Sequence, residues 1–442
     1  MYSKEMLERF GSLKIKVGDR ISITKNNETF EGLLMPRPET GDENTLILKQ
    51  NDGYNIGINT TKAEIKKLGE AEGKVSFPKT TIKQNKSLPK VTILYTGGTI
   101  GSKVDYVSGG VIVLTTPEEL LASVPEAQEI ANIEVKDVMH TFSEDITFLE
   151  WQKISEEVKK AFDGGSVGVV VTMGTDTMHY TAAAMSFMVQ DLPGPVVITG
   201  AQRSTDRGSS DAFLNIDCAL RIAAQSDIGE VGICMHESSS DNSCSFIRGT
   251  KVRKMHTSRR DAFKPINSIP IASISARGEI TYRGSYRKAD RKARARLANR
   301  YEPKVVLIKV APSSDPGVVD YYISQGYRGI IFEGTGLGQL PVSAKHSEFN
   351  WLSALKKASE NGLVIGIASQ CLYGRVNEWV YSNARMQRAA GAIYCEDMLP
   401  ETAYVKLGWL LGNYKASEAK EMLPKNIVGE ISERTTYDEF HE

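Results

Sequence analysis

Residues 90–106 read KVTILYTGGTIGSKVDY, and the first eleven of them decide how the chain is parsed. Val91 to Tyr95 carry no charge and are rich in β-formers, so they read as a short buried strand. The strand runs directly into Thr96-Gly97-Gly98-Thr99. Such a turn can cradle a phosphate, end a strand, or expose a nucleophilic hydroxyl. The phosphate reading is weak, because neither G-x-G-x-x-G nor G-x-x-x-x-G-K-[ST] is present. Taken alone, two glycines that let a strand become a loop need no further explanation. The pattern around them changes that.

Downstream, apolar strands alternate with helical segments. Thr116 can cap a helix, with Pro117 in its first turn and Glu119 closing a capping box. Thr147 and Glu150 form a second box, opening a helix through Phe148, Trp151, Ile154, Val158 and Phe162 that stops at Gly164-Gly165. The strand VGVVVTM then leads into GTDT (174–177), and GPVVI leads into TGAQR (199–203). After KVVLIKV, RGIIFEG and GLVIGIAS the alternation continues to the C-terminus. The expected fold class is α/β, with parallel sheets covered by helices on both faces.

The residues before the quoted stretch behave differently. KIKVGDRISIT, TFEGLLMPR, NTLILKQ and YNIGIN are short strands separated by turn residues, with Asn51-Asp52-Gly53 as a hairpin signal. They predict a small N-terminal β-barrel of SH3-like or Sm-like type over residues 1–75. A polar, basic, proline-bounded linker follows over 76–90. The rest divides into a large α/β domain over 91–285, a basic connector over 286–303, and a small α/β domain over 304–442. Residues 283–300 hold eight Lys or Arg against one acid, Asp290. By default that run is a solvated connector.

The chain has 442 residues, with 54 basic and 54 acidic side chains, so it carries no net charge. That balance gives no general attraction to nucleic acid or anionic membrane. No apolar run approaches the roughly 18–20 residues needed to span a bilayer, and the charged start MYSKEMLERF is no signal peptide. The five cysteines contain no C-x-x-C pair, which points to free thiols in the cytoplasm and to no structural zinc.

In a doubly wound sheet, ligands bind beyond the carboxyl ends of the strands. TGGT, GTDT and TGAQR all fall there, so two hydroxyl-rich tips face one crevice. A threonine needs a base to become a nucleophile. The six histidines are scattered, and His179, beside GTDT, reads as a packing residue. A Lys–Asp–Thr relay is the other route. Asp176 is in place for it, and the lysine comes from RGTKVRKMHTSRRDAF, where spacing alone leaves Lys251 and Lys254 open. Ser143-Glu144-Asp145, just ahead of a helix N-terminus, suits a substrate carboxylate.

These residues resemble the L-asparaginase and glutaminase family. TGGTI (96–100), GTDT (174–177), TGAQR (199–203), RGTKVRKMHT (248–257), SQCLYGRV (369–376) and EDMLPETAYVKLGWLL (396–411) occur in the family's order, from about Val91 onward. The resemblance implies Thr99 as nucleophile, Thr175 and Asp176 as the second threonine and the aspartate of the relay, and Lys254 as its lysine. It implies that Ser143 and Glu144 hold the substrate's α-carboxylate and α-amino groups, with Glu144 standing where Gln is more usual. Tyr106 matches the tyrosine of the mobile lid, though it lies closer to Thr99 than the family's spacing. The family also builds its site at a contact between protomers, which implies a homodimer. Residues 383–390 offer no acid to donate across that contact, and Gln339 is the candidate in its place. No metal is implied.

Free-standing members begin near TGGTI, whereas here some ninety residues precede it. That arrangement, together with GSKVDY and RGTKVRKMHTSRRDAFKPIN, resembles the asparaginase-like D subunits of archaeal glutamyl-tRNA(Gln) amidotransferases. The resemblance implies a glutaminase whose ammonia passes to an E-type partner subunit. That partner binds most of Glu-tRNA(Gln) and uses ATP and Mg2+, while this chain needs no cofactor and sits as a homodimer within a heterotetramer. Two other readings stand beside it. One is a stand-alone cytosolic asparaginase with an appended domain, and the other a non-catalytic asparaginase-like scaffold binding RNA through residues 283–300.

Overall fold

The computed structural model describes residues 2, 4–35, 42–51, 54–70, 85–98, 102–104, 111–113, 127–204 and 209–435. The helix expected after Thr116 and most of the Asn51-Asp52-Gly53 turn lie outside them.

The N-terminal unit opens with a helix, Lys4–Leu13, where the sequence reading saw only a charged segment leading to strands. Met6 and Phe10 sit one turn apart and are both buried, with the Tyr2 ring edge-on to Phe10 at 5.2 Å. They pack onto a five-stranded antiparallel sheet, Arg20–Lys25, Glu28–Met35, Thr45–Lys49, Asn55–Asn59 and Glu64–Gly69. Its strand order places Asn55–Asn59 and Glu64–Gly69 at opposite edges. Ile21, Ile23, Leu34, Leu46, Leu48, Ile58 and Ile65 fill its core. Among the described residues this is an antiparallel sheet without a pairing that closes it into a barrel.

The large α/β unit is an eight-stranded mixed sheet. Its parallel part runs Asn132–Asp137, Lys90–Tyr95, Gly168–Thr172, Val196–Thr199 and Val231–His236 in spatial order. Beyond it, Ser243–Arg248, Ala272–Ser275 and Ile280–Tyr282 pair antiparallel. The switch has a local cause: the turn from His236 to Ser243 is far too short for the crossover that a parallel neighbour needs. Gly168–Thr172 is buried throughout, as a strand covered on both faces must be. The Thr147–Glu150 capping box is formed, with Thr147 N–H donating to Glu150 Oε2 at 2.7 Å, and the helix Phe148–Asp163 ends at Gly164.

The small unit is a four-stranded parallel sheet, Val305–Lys309, Gly329–Gly334, Val364–Ser369 and Ala392–Tyr394, in sequential order. Helix Pro400–Asn413 joins it to the large unit. Its Trp409 stacks on Phe187 of helix Met178–Met188 at 5.4 Å, and both lie in one shared core.

Residues 283–300 are a connector laid across the large unit. Arg291 donates to the carbonyls of Val167 and Ser226, and Arg287 to that of Gly229. Arg296 pairs with Asp191 at 3.1 Å and Lys288 with Asp227 at 3.2 Å. Much of the run's charge is therefore engaged within the chain. Among the described residues, no helix is long and apolar enough to cross a membrane.

Candidate active site

Register brings the motifs together. Thr172 pairs with Tyr95 on one side and with Thr199 on the other, so the three strands end level and their tips emerge side by side. Thr96 ties the first tip to the second, its Oγ1 donating to Thr172 O at 2.8 Å. Gly97 and Gly98 both have positive φ, 103° and 87°. A Cβ on Gly98 would lie 2.2 Å from Gly174 N, and one on Gly97 would lie 2.9 Å from Thr141 N. Glycine is thus required twice over, by conformation and by the contact between the first two tips.

On the second tip, Thr175 is buried while the Asp176 side chain is two-thirds exposed at the crevice mouth. Lys254 reaches both. Its Nζ donates to Thr175 Oγ1 at 2.8 Å and to Asp176 Oδ1 at 2.6 Å. The lysine is delivered by a two-stranded hairpin, Val252–Lys254 with Phe263–Pro265. Ser143 joins from the side: its Oγ accepts from Asp176 N at 3.2 Å, and its carbonyl accepts from Thr177 Oγ1 at 2.5 Å. Glu144 beside it is exposed. The third tip contributes Gln202, whose Oε1 is 3.5 Å from Thr175 Oγ1 and whose buried Nε2 has no partner among the described residues. Sequence reasoning marked the TGAQR loop but singled out no residue in it. The signal available was a polar side chain at the tip of the third adjacent strand.

The geometry separates the two lysines that spacing left open. Lys251 turns away from the crevice into a buried ion pair with Asp397 at 2.6 Å. It locks the hairpin's base to the segment entering helix Pro400–Asn413. Gln339 lies in the small unit, in the bridge with Thr335, and its buried carboxamide has no partner among the described residues. The described contacts do not link it to Thr175, Asp176 or Lys254. Thr99 and Tyr106 lie outside the described residues.

His179, in the first turn of the helix after GTDT, is buried, and its Nδ1 has no partner among the described residues. Burial first, then the charges of Arg253 and Lys254, push its pKa down from 6.5 to about 4. The folded protein therefore holds a neutral ring where the unfolded chain binds a proton below about pH 6.5. This contribution is complete above pH 6.5 and is lost as pH falls towards 4. Over that window wild-type stability is expected to drop by about 3 kcal/mol more than that of His179→Gln, measured by urea unfolding at stepped pH. Parallel curves for the two proteins would refute it.

Mixed sheet, glycine-packed strand tips and a Lys–Asp–Thr cluster define the asparaginase class of α/β proteins, and the comparisons agree. Residues 90–287 match the family described as "Asparaginase, N-terminal", and residues 304–423 match "Glutaminase/Asparaginase C-terminal domain". The solved L-asparaginase of Thermococcus kodakarensis superposes with a TM-score of 0.68 at 30% identity, covering 78% of this chain and 99% of that one. The N-terminal unit is more specific, since residues 15–68 match "GatD N-terminal domain". Over its whole length the chain is 46% identical to the glutamyl-tRNA(Gln) amidotransferase D subunit of Pyrococcus furiosus, with 100% of each chain covered. It is likewise 46% identical to the D subunit of Pyrococcus abyssi, over 96% of this chain and 97% of that one. The chain belongs to the family of glutamyl-tRNA(Gln) amidotransferase D subunits.

Proposed function

We propose that this chain hydrolyses glutamine with Thr99 as nucleophile and passes the ammonia to an E-type subunit, which converts Glu-tRNA(Gln) to Gln-tRNA(Gln). The observation that carries this reading is Lys254 Nζ held on both Thr175 Oγ1 and Asp176 Oδ1, beside the glycines that precede Thr99. Thr99 Oγ attacks the side-chain amide carbon and its proton leaves through a neighbouring base. The tetrahedral intermediate collapses, the C–N bond breaks, and the nitrogen leaves as ammonia after taking up a proton. Water, deprotonated through Thr175 and Lys254, then cleaves the acyl-enzyme to glutamate and frees Thr99. Ser143 and Glu144 hold the substrate's α-groups, Tyr106 closes over it, and the chain acts as a homodimer.

This chain works without a cofactor, in the cytoplasm, and the ATP and Mg2+ serve the partner. The internal engagement of residues 283–300 fits a chain that leaves most tRNA contacts to that partner. The test is co-purification with an E-type subunit, followed by glutamine-dependent amidation of Glu-tRNA(Gln). Hydrolysis is expected to be slow alone and to rise when the partner and Glu-tRNA(Gln) are added. Fast, partner-independent turnover of asparagine would overturn the proposal.

A further inference from the structure

The two loops that meet at Thr175 are also connected behind the site, through side chains that the chemistry above does not use. Asp211, fully buried, accepts from Gln202 N with both carboxylate oxygens, at 3.1 and 3.0 Å, and from Arg203 N at 3.0 Å. Asn215, one turn further along helix Ala212–Gln225, donates through Nδ2 to Gly200 O at 2.9 Å and to Asp211 Oδ2 at 3.0 Å. These bonds pin the TGAQR loop from within.

They also fix the orientation of Asn215. With Nδ2 spent on two acceptors, Oδ1 must accept, and it does so from His236 Nδ1 at 2.7 Å. The opposite ring nitrogen, Nε2, lies 3.1 Å from Asp241 Oδ1, a contact that is a hydrogen bond when Nε2 also carries a proton. Asp241 stands on the surface, and the same oxygen accepts from Arg260 Nη1 at 2.6 Å. Arg260, which also donates to Ser239 O, belongs to the turn of the hairpin that delivers Lys254. A single chain of polar contacts therefore runs from the Lys254 hairpin, through the sheet, to the loop carrying Gln202. Lys254 and Gln202 both meet Thr175, so the circuit closes on itself.

We propose that Arg260, Asp241, His236, Asn215 and Asp211 form a positioning relay that holds the Lys254 hairpin and the Gln202 loop in register around Thr175. Buried polar networks whose members are all satisfied specify one arrangement of the groups they join. Here the interior members supply that rigidity, and the pair of exposed Asp241 with the mostly covered Arg260 clamps the hairpin to it. Asp241 is open to water and Arg260 keeps its bond to Ser239 O when the pair is broken, so breaking it costs little global stability. Its loss therefore moves the hairpin without unfolding the protein, and that makes the clamp testable.

The inference rests on the reading of Thr175 and Lys254 as reaction centre, so Lys254→Met is assayed alongside on the full chain. Asp241→Ala and Arg260→Gln are each expected to lower kcat for glutamine about 2- to 30-fold, with KM within about twofold and Tm unchanged. The double variant should be no slower than the worse single variant, because both break the same clamp. Asp241→Glu, which keeps the carboxylate, should recover most of the rate. Wild-type kcat in both single variants, with Lys254→Met inactive, would overturn the relay while leaving the reaction centre intact. An active Lys254→Met would overturn the reaction centre itself. Losses of rate that merely track losses of Tm would also sink the relay.

Discussion

Lys254→Met is expected to lose roughly 10²–10⁴-fold in glutamine hydrolysis while keeping its fold, whereas Lys251→Met, three residues away, keeps its chemistry and loses stability. The contrast follows from where each ammonium is spent. Lys254 Nζ sits on Thr175 Oγ1 and Asp176 Oδ1, and the exposed Asp176 carboxylate returns to water when the lysine goes. Little folding energy is at stake, and the proton path is cut. Lys251 and Asp397 are both essentially excluded from solvent. Removing the lysine leaves Asp397 with one N–H of Ser432 shared between its oxygens and with Arg375 at 3.8 Å, too little to neutralise a buried charge. The cost is about 3–5 kcal/mol, the usual consequence of breaking a buried pair. Denaturant unfolding and kcat, both measured on each variant, separate the two outcomes. If Lys251→Met is stable but inactive, the assignment of the two lysines is reversed.

Sequence alone could not choose between these lysines because both lie in one basic stretch, and the choice depends on the hairpin's twist. In the strands, side chains alternate, yet Lys251 precedes Val252 at the hairpin's base and turns into the interdomain core. Other features were legible because their causes are local. The Thr147–Glu150 box needs only residues three apart, and it opens its helix as read. The glycines of TGG read only as a strand turning into a loop, and the structure adds a contact of Gly98 with Gly174 that the sequence does not show. The N-terminal helix was missed because Met6 and Phe10 are its only buried residues, too sparse a stripe to stand out. The antiparallel part of the large sheet departs from the parallel order that alternating strands and helices imply, because the turn at 237–242 is too short for a crossover. The relay behind the site was invisible for another reason. Asp211, Asn215, His236, Asp241 and Arg260 are joined only by the packing of a helix, a strand and two turns.

Thr99→Ala is expected to abolish glutaminase activity, by a factor on the order of 10⁴ or more, and to leave folding and partner binding unchanged. Thr99 lies outside the described residues, and its neighbours carry the expectation. Gly97 and Gly98 hold the backbone in conformations that only glycine adopts cheaply, and their tight contacts with Thr141 and Gly174 fix the direction in which the chain leaves the strand. Gly98 itself lies against Gly174, the residue before Thr175, whose own hydroxyl is already engaged by Lys254. A hydroxyl committed to the lysine is suited to relaying a proton, which fits the proposal that Thr99 is the nucleophile. The comparison that decides this is with Thr175→Val, which removes the relaying hydroxyl and keeps the shape. A nucleophile is required to form the acyl-enzyme at all, so Thr99→Ala should show no burst of ammonia in rapid-quench assays. Thr175→Val should slow both half-reactions without preventing acylation. A burst that survives in Thr99→Ala and vanishes in Thr175→Val would exchange the two roles. Hydrolysis that persists in both would place the nucleophile outside the threonine pair and remove the chemical basis of the proposal.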